Sequence, residues 1–234
     1  MHGLDVANMA IWYLVFVFST TCHEAAHAWV AYRGGDVTAY SLGHVTLDPW
    51  PHIRRSPFGM VIVPLVSFIF GGGMIGWASV PVNRRWAVNH PRRAALMSLA
   101  GPLANFGLAL IALGAMRLLV ANDVLFAPTG AVPLQNIVTV PDGHGFNTPL
   151  GALARGLSVL LVLNVMLCLF NLVPLPPLDG ASALEGALPR ATAGFYQRLR
   201  EVPAFEFLGL MIAWRFFPYI YLPAVSFIAD FLHA

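Results

Sequence analysis

The chain has 234 residues, 58% of them apolar and only 10% charged, where a soluble domain carries about 25% charged residues. Its 13 basic residues (all Arg) and 11 acidic residues nearly cancel, and no basic stripe is present. These values exclude a soluble globule, a disordered chain and a nucleic-acid binder, and leave an integral membrane protein read as one membrane-embedded domain, 1–234.

A bilayer is crossed by about 20 apolar helical residues. The first run that qualifies is Met9 to Tyr32. No basic residue precedes it, so it reads as a retained span and not as a signal peptide cut at Ala26-His27-Ala28. Val37 to Leu47 is rich in strand formers and predicts a strand or short β-hairpin. Phe58 to Val80 holds Pro64 and is broken by Gly71-Gly72-Gly73. It is either an ordinary span or a hairpin that enters and leaves the membrane on one side. Ala94–Val120, Leu150–Val173 and Phe205–Leu232 are each long enough to cross. Cys22 and Cys168 lie in apolar runs and read as buried free thiols. The expected fold is an all-α polytopic membrane protein: about four transmembrane helices, a re-entrant segment and a short cytoplasmic β-hairpin.

Arg33, Arg54, Arg55, Arg84, Arg85, Arg92 and Arg93 lie between the first run and Ala94, and Arg190, Arg198 and Arg200 follow Val173. The stretch from Ala121 to Pro149 has only Asp123 and Asp142 as charges. Basic flanks stay cytoplasmic. The N-terminus is then outside, and the four spans alternate inward, outward, inward, outward. Both flanks of Phe58–Val80 fall on the cytoplasmic side, which favours the hairpin.

The first span contains His23-Glu24-Ala25-Ala26-His27. Residues four apart share a helix face, so both imidazoles can reach one zinc, with Glu24 beside them as a general base. The other reading is a His–Glu–His cluster that hydrogen-bonds helices together. Ionisable groups inside a span are costly and functional by default, which favours the metal. Catalytic zinc wants a third protein ligand. Asp179 follows the helix-breaking Pro174, Pro176 and Pro177 after the third span. It is either that ligand or the acid of an ordinary turn. The topology above brings it to the same end as the histidines.

Four motifs together resemble the site-2 protease family of intramembrane zinc metalloproteases. They are His23-Glu24-Ala25-Ala26-His27; Gly76-Trp77-Ala78 with Pro81-Val82-Asn83; Ala100-Gly101-Pro102-Leu103-Ala104-Asn105; and Asn171 to Gly180. The resemblance covers Thr20 to Gly180. It implies that His23, His27 and Asp179 bind Zn2+ and that Glu24 is the catalytic base. It also implies that Asn171 lines the site, holding the substrate or the developing oxyanion. Gly101 and Asn105 would serve helix packing near the site. The chain leaves no room for the PDZ domain of many members, so it is similar to the compact bacterial branch. The protease core is then 9–180, followed by a cytoplasmic stretch and a last span within 181–234.

The resemblance further implies that the strand at Val37–Leu47 pairs with unwound substrate; the alternative is a plain surface hairpin. His44, His52 and His90, in Arg-rich loops, are further candidate ligands, and Trp12, Tyr13, Trp77, Trp86, Tyr219 and Tyr221 suit interfacial belts. The expected activity is hydrolysis of a peptide bond within or beside a transmembrane segment of a membrane protein. A metal or solute transporter, a homologue that binds helices without cutting them, and a lipid-modifying metal enzyme are the alternatives.

Overall fold

The computed structural model describes residues 5–128, 136–141, 148–189, 194 and 202–233. Three helices among them are long and apolar enough to cross a membrane. The first, α1 (Val6–Arg33), is capped by Asp5, whose carboxylate accepts from the Asn8 N–H at 3.0 Å. Short helices α2 (Thr38–Ser41) and α3 (Pro49–Arg55) follow. A π-helical turn, Phe58–Ile62, then runs into α4 (Val63–Gly71), and α5 (Arg84–Asn89) precedes the second long helix, α6 (Pro91–Ala121). The third is α7 (Pro149–Asn171), followed by α8 (Asp179–Ala187), α9 (Pro203–Phe216) and α10 (Pro218–His233).

Helix α6 packs against α1, α7 and α8 and organises the molecule. Fully buried alanines, Ala28 and Ala31 on α1, Ala112 on α6 and Ala154 on α7, let the helices approach closely. Phe16, Met116 and Leu161 fill the remaining space. Leu14, Leu103, Ile111 and Leu118 point outward and are exposed, as lipid-facing positions should be.

The segment joining α1 to α6 leaves and returns at one end of the bundle. Gly34, just past α1, accepts from Trp86 Nε1 at 3.0 Å and from Arg93 at 3.1 Å, and these residues lie at the start of α6 or just before it. A single crossing by Phe58–Val80 would put those partners at opposite ends. Instead α4 stops at Gly72, whose φ of +71° suits glycine, and the chain turns back. The Trp77 N–H then donates to the Gly59 carbonyl at 3.1 Å, so entry and exit lie side by side.

One expectation is corrected. Val37–Leu47 forms no strand or hairpin: it contains α2 and then bends. Asp36 is the cause. One carboxylate oxygen accepts from the Thr38 N–H and hydroxyl at 3.0 and 2.6 Å, starting a helical turn where propensity favoured a strand. The run Phe205–Leu232 remains apolar enough to cross as a pair of helices, but it is bent. It is broken into α9 and α10, which are bent by 43°. Pro218 has no N–H to give the preceding turn, and its ring crowds that turn.

The other Asp36 oxygen accepts from the Asn83 N–H at 2.8 Å, tying the end of α1 to the approach to α6. Burial pushes this carboxyl up, but the Thr38 and Asn83 bonds outweigh it and hold it below the usual carboxylate range. Asp36→Ala is expected to cost about 2–3 kcal/mol. The wild-type contribution is complete above the ordinary carboxylate value and is lost as pH falls through and below it. Thermal unfolding of both proteins in detergent at neutral and acid pH checks this: the gap should close at acid pH.

At the opposite end, Arg117 donates to the Phe231 and Leu232 carbonyls at 3.3 and 2.7 Å, capping α10, and Arg155 bonds to the Asn136 side chain. These two arginines are engaged by the protein itself. Asp142, Arg190, Arg198 and Arg200 lie outside the described residues.

Candidate metal centre

One turn apart on α1, His23 and His27 face α6 and the start of α8. Their Nε2 atoms are 2.9 Å apart, and Asp179 Oδ2 lies 3.1 Å from the first and 3.3 Å from the second. The histidines are buried and Asp179 is partly exposed. Asp179 is the first residue of α8, which folds back tightly on the end of α7. A Cβ at Gly180 would sit 2.3 Å from the Leu172 carbonyl oxygen, so only glycine permits this turn.

Three positions of α6, spaced i, i+4 and i+8, shape the other side. The Nδ1 of His27 donates to the Met97 carbonyl at 2.7 Å, and the Nδ1 of His23 bonds to Asn105 Oδ1 at 2.6 Å. Between them Gly101 leaves a gap, since a Cβ there would lie 2.4 and 2.5 Å from the two Nε2 atoms. Asn105, expected only to pack helices, is therefore bonded to a candidate ligand, and Gly101 clears the space around the imidazoles. The i, i+4 spacing of Gly101 and Asn105 was the one sequence signal for this.

A carbonyl only accepts, so His27 carries a proton on Nδ1, and Nε2 is the ring nitrogen it turns inward. Three such donor atoms turned on one point repel one another unless a proton or a metal ion lies among them. A tetrahedral zinc with bonds of 2.0–2.1 Å has ligand–ligand edges of about 3.3 Å, close to the spacing here. The donor set fits zinc.

Glu24 adjoins His23 on α1 and is 5% exposed. Asn171 ends α7, and its Nδ2 donates to the Leu167 carbonyl of its own helix at 3.0 Å. His44 and His52 stack edge-on at 5.3 Å, away from the cluster; burial, then His52 and Arg55, hold His44 below the usual imidazole range. His90 Nδ1 bonds to the Trp86 carbonyl at 3.1 Å. An open groove of about 400 Å³ runs along α1 between Cys22, Ala25, Ala26 and Trp29 on one side and Val45, Thr46 and Leu47 on the other.

The profile of peptidase family M50 matches residues 11–212. YwhC of Bacillus subtilis, provisionally named a zinc metalloprotease, is 33% identical over 200 residues, covering 85% of this chain and 77% of its own length. Rip2 of Mycobacterium tuberculosis, named in the same way, is 34% identical over 185 residues, 78% of this chain and 58% of its own. Rip2 of Mycolicibacterium smegmatis is 29% identical over 183 residues, with the same coverage. The chain thus spans less than two thirds of the Rip2 proteins. No solved structure matches it.

Proposed function

The chain belongs to peptidase family M50 and is a multi-pass zinc metalloprotease of the membrane, and from that premise we propose that His23, His27 and Asp179 hold the zinc while Glu24 is the catalytic base. The observation that carries this is the convergence of two Nε2 atoms and one carboxylate oxygen within 3.3 Å of one another.

Zinc, when bound, supplies a Lewis acid that polarises the scissile carbonyl and acidifies a water. The protein's own groups do the rest. The Glu24 carboxylate takes the water's proton and returns it to the leaving amine. Met97 and Asn105 hold the imidazoles from behind. Asn171 commits one amide hydrogen to Leu167, and its second amide hydrogen and its Oδ1 serve to hold the substrate or the developing oxyanion.

The substrate is a transmembrane segment of another membrane protein, cut within or beside the bilayer. A helix has its backbone groups bonded internally and must open before hydrolysis. The topology supported by the Arg distribution puts the N-terminus outside and the site toward the cytoplasm. The Phe58–Trp77 hairpin dips into the bilayer from that side. Phe70, near its tip, is 87% exposed, a position suited to lipid and not to water. The whole chain acts as one protease domain.

The test is the purified full chain in liposomes with a single-span substrate. Cleavage should cease on stripping with a zinc chelator and return with added Zn2+. Cleavage untouched by complete zinc removal would overturn the proposal.

A further inference from the structure

The bonds behind His23 form a chain with a fixed direction. The Leu160 carbonyl of α7 accepts from Asn164 Nδ2 at 2.8 Å. A carbonyl cannot donate, so the Asn164 amide has one orientation, and its Oδ1 faces Asn105. Asn105 meets that oxygen with its own Nδ2 at 2.8 Å. The same Nδ2 reaches the Ser19 carbonyl at 3.4 Å, a second acceptor that imposes the same orientation. Asn105 Oδ1 is thereby turned to His23 Nδ1, 2.6 Å away. An acceptor there requires a proton on Nδ1, which in the neutral ring leaves Nε2 bare. Ser19, Asn105 and Asn164 are all at 0% exposure, so water does not compete for these bonds.

We propose that Asn105 and Asn164 are positioning residues which preset the tautomer and ring orientation of His23 for metal binding. The shorter of the two bonds that set this orientation comes from α7, two side chains away from the ligand. Metal-ligating histidines are commonly oriented by a carboxylate or a carbonyl on the other ring nitrogen. Here a neutral amide pair does this and adds no charge to a membrane interior, where charge is costly. The inference rests on the zinc site proposed above, but it concerns the metal-free protein as well.

The test compares Zn2+ affinity, by chelator competition, in purified full-length wild type and three variants. Asn105→Leu and Asn164→Leu should each bind zinc 10–100-fold more weakly, the usual range for such partners. Asn105→Asp keeps an acceptor on His23 and, as the neutral acid that burial favours, a donor toward Asn164 Oδ1 and the Ser19 carbonyl, so it should retain most of the affinity that Asn105→Leu loses. A packing role predicts no such rescue by Asn105→Asp over Asn105→Leu. Wild-type affinity in both leucine variants, or an Asn105→Asp loss equal to that of Asn105→Leu, would overturn the proposal. A second measurement needs no variant. The ¹⁵N spectrum of metal-free wild-type protein labelled in histidine should show His23 protonated at Nδ1; a bare Nδ1, with the ring proton on Nε2, overturns it. Failure of wild type to bind zinc would instead remove the metal assignment, with the tautomer measurement still standing.

Discussion

Glu24→Gln is expected to keep a full complement of zinc and to lose cleavage by about 10²–10⁴-fold, the usual contribution of a general base. Glutamine has the same length and shape, so this buried position on α1 stays filled. The contacts among His23, His27 and Asp179 do not involve position 24. What disappears is a group able to take a proton from water. Zinc content by atomic absorption and cleavage of a co-reconstituted transmembrane substrate, measured on one preparation, separate the two effects. Undiminished cleavage would remove Glu24 from the mechanism. Zinc lost in step with activity would make it a ligand instead of a base.

Gly101→Ala should be nearly as damaging with a single methyl group. Its Cβ would fall 2.4 Å from His27 Nε2 and 2.5 Å from His23 Nε2, well inside contact distance. The imidazoles cannot swing aside without breaking their bonds to Met97 and Asn105. The backbones of α1 and α6 would have to part instead. Zinc affinity is expected to fall at least 100-fold, beyond the usual effect of a single outer partner, and cleavage with it. Gly107→Ala is the control, because nothing lies within 4 Å of its added Cβ on the same helix. It should be neutral or stabilise by about 0.5–1 kcal/mol. Zinc affinity and thermal unfolding of both variants decide the matter, and full zinc binding by Gly101→Ala would contradict the geometry.

His23, Glu24 and His27 were legible in the sequence because their relation is local, one turn of one helix. Asp179 was legible less directly, through the sidedness of the arginines and the prolines that end α7. The long helices α1, α6 and α7 followed from apolar runs, with ends displaced by a few residues. Asn105 was seen as part of a motif, but its bond to His23 spans 82 residues of chain and exists only once α6 lies on α1. Asn164 belongs to no motif and reads as one polar residue in an apolar helix. The strand expected at Val37–Leu47 failed because propensity is a weak local preference, and the side chain of Asp36 overrode it. The break at Pro218 was visible as a residue, but the hydropathy of the run concealed it.

The spacing of Met97, Gly101 and Asn105 makes α6 a ruler as well as a wall. Each residue added to an α-helix turns everything beyond it by about 100° and advances it about 1.5 Å. One inserted alanine between Met97 and Asn105 would leave composition, length and lipid-facing character almost unchanged. It would still carry Asn105 off the His23 face, and an insertion before Gly101 would move the gap as well. The lipid side of the same stretch, at Leu103 and Phe106, is open to apolar exchange. This part of α6 therefore admits substitutions freely on one side and no insertion or deletion at all, a register constraint that a hydropathy profile does not detect.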